Sequence, residues 1–336
     1  MRELFLLSLA PMAAWAASLP YAGSAACAEC HRDVYDRQQR SRHANALHPI
    51  RESPVAEVLL ERGARSGPLV YAARDNGISV TAATGGDEAT GLLVWAFGAG
   101  AQGITPVGRL GDQFFEHRFS FYRAAGRMSL TFGHPAVAGT ARAMLGLPQS
   151  SHTITACFQC HATGVDGAAN GPDLSAMQPG VQCERCHGPG RRHVEMAKAR
   201  ATAEEVRRAI FNPGRLPAAA LVEYCGQCHR LPEPGASSPE PEIENPVAVR
   251  FAPVGLLASR CFIRSRRLTC TTCHDPHQDA RPATDASYVK ACANCHESAP
   301  KSGSACRRAA GQNCLPCHMR QASLNANLKF TDHRIR

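Results

Sequence analysis

Fourteen of the sixteen cysteines in this 336-residue chain fall into seven Cys-x-x-Cys pairs, and a histidine follows every pair. The motifs are Cys27-x-x-Cys30-His31, Cys157-x-x-Cys160-His161, Cys183-x-x-Cys186-His187, Cys225-x-x-Cys228-His229, Cys270-x-x-Cys273-His274, Cys292-x-x-Cys295-His296 and Cys314-x-x-Cys317-His318. A disulfide scaffold has no reason to place histidine there. Structural zinc sites use paired Cys-x-x-Cys units without requiring that histidine. A redox dithiol is expected once, in a βαβ context. The pattern is the attachment signature of haem c. Two thiols add to the vinyl groups on one porphyrin edge, and the next residue lies under the ring centre, where its imidazole can bind iron. The expected cofactor set is therefore seven covalently attached haem c groups, with His31, His161, His187, His229, His274, His296 and His318 as proximal ligands.

Eight of the fifteen histidines lie outside the motifs: His43, His48, His117, His134, His152, His193, His277 and His333. Seven irons need at most seven sixth ligands, so mostly bis-histidine ligation is expected. His277 lies three residues after His274, on the same face of a short helix. It cannot oppose His274 across one porphyrin and must serve a neighbouring haem. The same argument sends His193, six residues beyond His187, to another haem. His117 sits in a strand-like Phe-Glu-His-Arg-Phe run and is read as the surplus residue. The candidate distal set is His43, His48, His134, His152, His193, His277 and His333. Met144, Met177 and Met196 are read as packing residues.

The chain opens on Arg2 followed by an apolar run from Leu4 to Ala16, with Ala14-Trp15-Ala16 resembling a cleavage site. Residues 1–16 are expected to be an export signal, too short for the ~20 residues that span a bilayer. The protein is then periplasmic or extracellular, with membrane contact only through partners. The formal charge of +9 would ordinarily suggest nucleic acid or anionic membrane. Two propionates on each of seven haems bring fourteen negative charges, so the balance is about +2 with every iron ferric and −5 with every iron ferrous; the basic residues are read as propionate partners and no nucleic acid is expected. Aromatic residues make up only 6% of the chain. Porphyrin rings would supply the missing core bulk.

Motif spacing divides the chain. His31 is 130 residues from His161, whereas the later gaps are 26, 42, 45, 22 and 22 residues. The long gap holds strand-like runs at 68–73, 77–84, 91–97, 113–122 and 127–132, punctuated by Gly and Asp. The expected fold is a mostly α and irregular multihaem cytochrome c fold wrapped around haems, with a small antiparallel β insert. The expected segments are a signal at 1–16, a first haem segment at 17–65, the β insert at 66–133 and a six-haem domain at 134–336. Helices are expected over 33–47 and 191–211, and an exposed loop over 232–246. The two remaining cysteines, Cys261 and Cys306, are expected to form a disulfide.

Several stretches resemble the multihaem cytochromes of the c-552/c-554 family. These are Cys183-Glu184-Arg185-Cys186-His187-Gly188-Pro189-Gly190 with His193, Cys27 to Tyr35 with Ser41-Arg42-His43, Thr269 to His277, and Cys314 to Met319 with Thr331 to Ile335. The resemblance implies closely spaced haems, electron transfer, and His43, His193, His277 and His333 as distal ligands. Helical repeats that some relatives carry after the last haem are not expected here.

The expected activity is electron transfer between redox partner proteins such as other cytochromes and quinol-linked or terminal reductases. The alternative is an oxidoreductase with one open haem acting on a nitrogen or sulfur oxyanion. A third reading is a non-catalytic unit of an extracellular electron conduit. No catalytic residue is assigned.

Overall fold

A computed structural model describes residues 21–62, 68–231, 246–279, 285–296 and 313–336. The export stretch, most of the 232–246 loop and Cys306, with its expected pairing to Cys261, lie outside the described residues.

Helices α1 (Ser24–Ala28) and α2 (Arg32–Gln39) carry the first motif. The expected helix over 33–47 ends at Gln39. Asn45 Nδ2 donates to the Gln39 and Ser41 carbonyls at 3.0 and 2.8 Å, and the Ser41 hydroxyl accepts the Ala44 N–H. Such local side-chain bonds compete with the helical ladder. The chain then makes a short strand, β1 (Leu47–Pro49), and α3 (Pro54–Glu57), which Ser53 caps through the Val55 N–H with Pro54 at the first position.

The β segment is antiparallel: β2 (Leu69–Arg74), β3 (Gly77–Thr84), β4 (Asp87–Phe97), β5 (Gly103–Leu110), β6 (Gln113–His117), β7 (Phe119–Tyr122) and β8 (Arg127–Leu130), in which β6 and β7 both pair with β5, and β8 pairs with β7. The Thr84–Asp87 hairpin turns through Gly85 and Gly86, at φ 57° and 84°. Both centres of this two-residue turn need positive φ. The sequence pattern missed β5 because Gly103, Pro106 and Gly108 disguise it. Gly108 is required by packing, since a Cβ there would lie 2.7 Å from the Phe115 ring. The sheet also reaches beyond the expected insert: β1 pairs with β4, and β9 (Gly146–Pro148) pairs with β6 after the short helix α4 (Ala141–Leu145).

A bulge in β4 decides which way the sheet faces. The pairing with β5 shifts between Leu93 and Trp95. Leu93 points into a core with Ile50, Leu59, Ile78, Val80, Phe115 and Leu145. Strict alternation would send Trp95 and Phe97 the same way. The extra residue reverses them, so they join Leu47, Phe114, Ile154 and Phe158 in a second core. Phe158 belongs to α5 (Ser151–His161), the helix that ends in the second motif, capped by the Ser150 hydroxyl on the Thr153 N–H. Its ring meets Trp95, Phe97 and Phe114 edge to face at 5.9, 5.1 and 5.9 Å. The β segment thus braces a motif-bearing helix.

Beyond α5, two small antiparallel pairs over residues 162–179 lead into a run of helices: α6 (Cys183–His187), α7 (Arg191–Lys198), α8 (Ala203–Arg208), α9 (Ala218–His229), α10 (Pro246–Val249), α11 (Ala252–Leu257), α12 (Arg260–Ser265), α13 (Asp285–His296) and α14 (Leu315–His318). The single helix expected over 191–211 is two. Arg200 turns left-handed at φ 57°, and a Thr202/Glu205 capping box starts α8. A ribbon of Gln321–Ser323 and Lys329–Thr331 closes the described chain.

Candidate functional site

The motifs recur on one kind of local structure, a terminal helical turn. The second motif ends α5, the third is α6, the fourth ends α9, the sixth ends α13, and the seventh runs into α14. Where the helix is short, the turn still closes: the His31, His274 and His318 N–H groups donate to the Cys27, Cys270 and Cys314 carbonyls at 2.9, 3.0 and 3.1 Å. One helical turn puts residues i, i+3 and i+4 on one face. Both thiols and the imidazole of each motif therefore address the same side.

Four motif histidines face a histidine from elsewhere in the chain. Ring centroids are 6.4 Å apart for His31 and His193, 6.1 Å for His229 and His43, 6.1 Å for His187 and His277, and 6.3 Å for His274 and His333. A metal–imidazole bond of about 2 Å on each side, plus roughly 1.1 Å from nitrogen to ring centre, separates two axial imidazoles by about 6 Å. The interplanar angles of 17°, 73°, 7° and 49° vary freely, as they do when two rings share an axis but not a plane. These pairs fit one iron each.

The other ring nitrogen is the second test of fit. A metal-bound histidine usually donates its remaining N–H to an oxygen, which fixes tautomer and orientation. The Nδ1 atoms of His43, His187, His193 and His333 donate to the carbonyls of Pro276, Phe211, Val206 and Thr331 at 3.2, 2.9, 2.8 and 3.0 Å. His277 donates to the Asp275 carboxylate at 3.1 Å. In each, Nε2 is left for the metal. Burial also holds His187, His229, His274 and His333 below the usual imidazole pKa, favouring the neutral form that binds metal.

The remaining histidines divide. His161 donates from Nδ1 to the Ala46 carbonyl at 3.0 Å, and its ring meets Phe97 at 5.3 Å. Among the described residues no second imidazole pairs with it. His318 Nδ1 donates to the Arg336 carbonyl, and His296 is exposed at the end of α13. His48 is half-buried in β1, and His152 is exposed in the first turn of α5. His134 is buried with Nε2 on Glu116 at 3.1 Å. His117 is fully buried between the Tyr71 hydroxyl, 2.9 Å from Nε2, and the Leu145 carbonyl, 2.7 Å from Nδ1.

Residues that motif counting could not single out hold the motifs against one another. Buried Glu184, inside the third motif, accepts the N–H groups of Ala22, Gly23 and Gly190 at 2.7, 2.8 and 2.7 Å. Its neighbour Arg185 donates to the Gln159 carbonyl at 2.9 Å and reaches Cys228 Sγ at 3.7 Å, linking the second, third and fourth motifs. The Tyr224 hydroxyl donates to the Cys186 carbonyl at 2.7 Å. Thiols of different motifs come within hydrogen-bonding reach: Cys27 with Cys183, Cys160 with Cys228, and Cys225 with Cys270. The only sequence signal for this hub was that the variable positions of the third motif are charged.

Residues 135–188 match the family described as cytochrome c554 and c-prime, and residues 264–301 match the doubled CXXCH motif. No curated protein matches. The outer cell wall cytochrome OcwA, known from its crystal structure, is similar at 20% identity and a TM-score of 0.38, covering 62% of this chain and 37% of that one. The chain therefore spans well under two thirds of that cytochrome's length. With seven attachment motifs, one match to a cytochrome family over motifs two and three, and one to the doubled CXXCH motif over motifs five and six, the chain is a multihaem c-type cytochrome.

Proposed function

We propose that this protein relays electrons through seven haem c groups, most of them bis-histidine ligated, in the periplasm or outside the cell. The observation that carries the reading is the set of four imidazole pairs at 6.1–6.4 Å. Haem c supplies reversible one-electron chemistry, and histidine on both axial positions leaves none for a substrate. His31, His187, His229 and His274 serve as proximal ligands, with His193, His277, His43 and His333 as their respective distal partners. His161, His296 and His318 would be the proximal ligands of the other three. The neighbouring thiols and the Glu184–Arg185 links hold the motifs close enough for exchange between adjacent sites. The donors and acceptors on this reading are redox proteins. Export rests on Arg2 and the Leu4–Ala16 run. Among the described residues no helix is long and apolar enough to cross a membrane.

Intact mass and an electron paramagnetic resonance spectrum of the oxidised protein test the proposal together. The expected mass exceeds the mature chain by seven haems, with low-spin ferric signals predominating. Four or fewer haems would overturn it.

One observation favours a second reading, an oxidoreductase with an open haem acting on a nitrogen or sulfur oxyanion. His161 contacts Phe97 where the four paired histidines contact a second imidazole. Stoichiometric carbon monoxide binding to one reduced haem, together with one high-spin ferric signal, would put this reading first.

A further inference from the structure

Two arginines converge on one aromatic ring just beyond the fourth motif. The Arg230 guanidinium carbon lies 5.1 Å from the centroid of Phe251, and that of Arg250 lies 4.6 Å from it. Arg250 also lies 5.7 Å from the ring of Phe132, which follows β8. The aromatic faces compensate part of the repulsion between the two cations. They do not compensate all of it. Among the described residues neither arginine has a carboxylate within ion-pair distance, and Arg250 Nε is buried without a hydrogen-bond partner. Burial, and then the charge of Arg230, both work against the Arg250 cation. A buried guanidinium donor left unpaired is costly and calls for an explanation.

The backbone gives a second sign. Arg230 ends α9 at φ 59° and ψ 127°, a region a side-chain-bearing residue adopts only when its surroundings enforce it. Glycine would relieve the strain, yet the position carries the charge that the cluster repels. Arg230 also lies near enough to Cys157 to bias that thiol's charge. The cluster therefore sits between the second and fourth motifs, at the seam with the β segment.

We propose that Arg230 and Arg250 form a two-guanidinium site for a carboxylate or small oxyanion, with Phe132 and Phe251 as its apolar walls. Planar forked donors match that geometry in a way that lysine would not. The anion comes either from a propionate of an attached haem, in which case the inference rests on the haem reading above, or from solution.

The test uses the haem-loaded protein and the variants Arg250→Gln and Arg230→Gln, with Arg264→Gln on exposed α12 as a control that removes the same charge elsewhere. Haem content by mass is checked first, so that loss of the haem reading is seen separately from loss of this one. Thermal unfolding is then followed against sodium sulfate, at ionic strength matched with sodium chloride, and midpoints are measured by spectroelectrochemistry. For a free oxyanion, sulfate raises the wild-type unfolding temperature saturably, and each variant needs at least tenfold more sulfate for the same shift. For a propionate, sulfate does nothing specific, but each variant lowers the midpoint of one resolved haem component while Arg264→Gln leaves all components in place. Sulfate stabilising wild type and both variants alike means an adventitious ion only. That result, or variants indistinguishable from Arg264→Gln in both measurements, overturns the proposal. Arg230 is exposed, so Arg230→Gln keeps the test open should Arg250→Gln fail to fold.

Discussion

The imidazoles of His187 and His277 lie parallel to within 7°, with centroids 6.1 Å apart, although His277 is only three residues from His274, the histidine of a different motif. The structure replaces the short helix expected across His274 and His277 with a 3-10 turn at Cys270–Thr272 followed by a loop and turn through His277, and the fold delivers His277 to the third motif. His277→Ala is expected to leave haem attachment at Cys270 and Cys273 intact and to turn the haem on His187 high spin. A haem-resolved spectrum that instead showed the His274 haem becoming high spin would contradict the pairing.

Glu184 holds three backbone N–H groups from two separate segments. Hydrogen bonds to a charged acceptor are worth more than neutral ones, and leaving their donors unpaired is costly. Glu184→Ala is expected to destabilise the protein by on the order of 3 kcal/mol, read as a lowered thermal midpoint. Glu184→Gln, which keeps one acceptor oxygen, should fall between it and wild type.

Phe158 is fully buried and touches three aromatic rings of the β segment. Phe158→Ala should cost about 3–5 kcal/mol through lost contact and the cavity left behind. Thermal unfolding followed through tryptophan emission, which includes Trp95 in the same cluster, reports it; a midpoint unchanged from wild type would show that the sheet does not brace α5.

His117 carries a pH dependence of stability. Burial depresses its pKa from 6.5 to about 4, with the Leu145 carbonyl opposing and His134 adding to the shift. Tyr71, across its Nε2, is itself held above its usual pKa by burial and stays protonated. The unfolded chain therefore takes up a proton near pH 6.5 that the folded one refuses until about pH 4. The contribution is present in full above pH 6.5 and is lost as pH falls toward 4, reaching about 3 kcal/mol. His117→Gln should flatten the unfolding-temperature profile between those values.

The motif histidines and thiols were legible because their spacing is a local chemical requirement that a single helical turn satisfies. The resemblance pointed to His43, His193, His277 and His333, and these four lie opposite motif histidines. Counting alone treated His48, His134 and His152 as their equals, because a count carries no information on which carbonyl or carboxylate each ring will meet. Strands β3 and β4 were legible from alternation and glycine turns. Strand β5 was not, since its glycines answer to the Phe115 ring rather than to any local signal. The long helices expected at 33–47 and 191–211 failed where Asn45 and Arg200 redirect the backbone, an effect that apolar periodicity does not register.

On the proposed ligation, each histidine pair also fixes an order of events in biosynthesis. A chain exported from its N-terminus presents His31 long before His193 and His43 long before His229. The first haem can be attached early but stays incompletely coordinated until a further 162 residues, from His31 to His193, have followed. The pair of His274 with His333 closes only once the chain has followed as far as His333. Coordination then works as a set of delayed latches that lock early segments to late ones. An export stall part-way would leave open, reactive irons on an unfinished molecule, so a truncated chain should be more exposed to oxidative damage than the same haems in the finished protein.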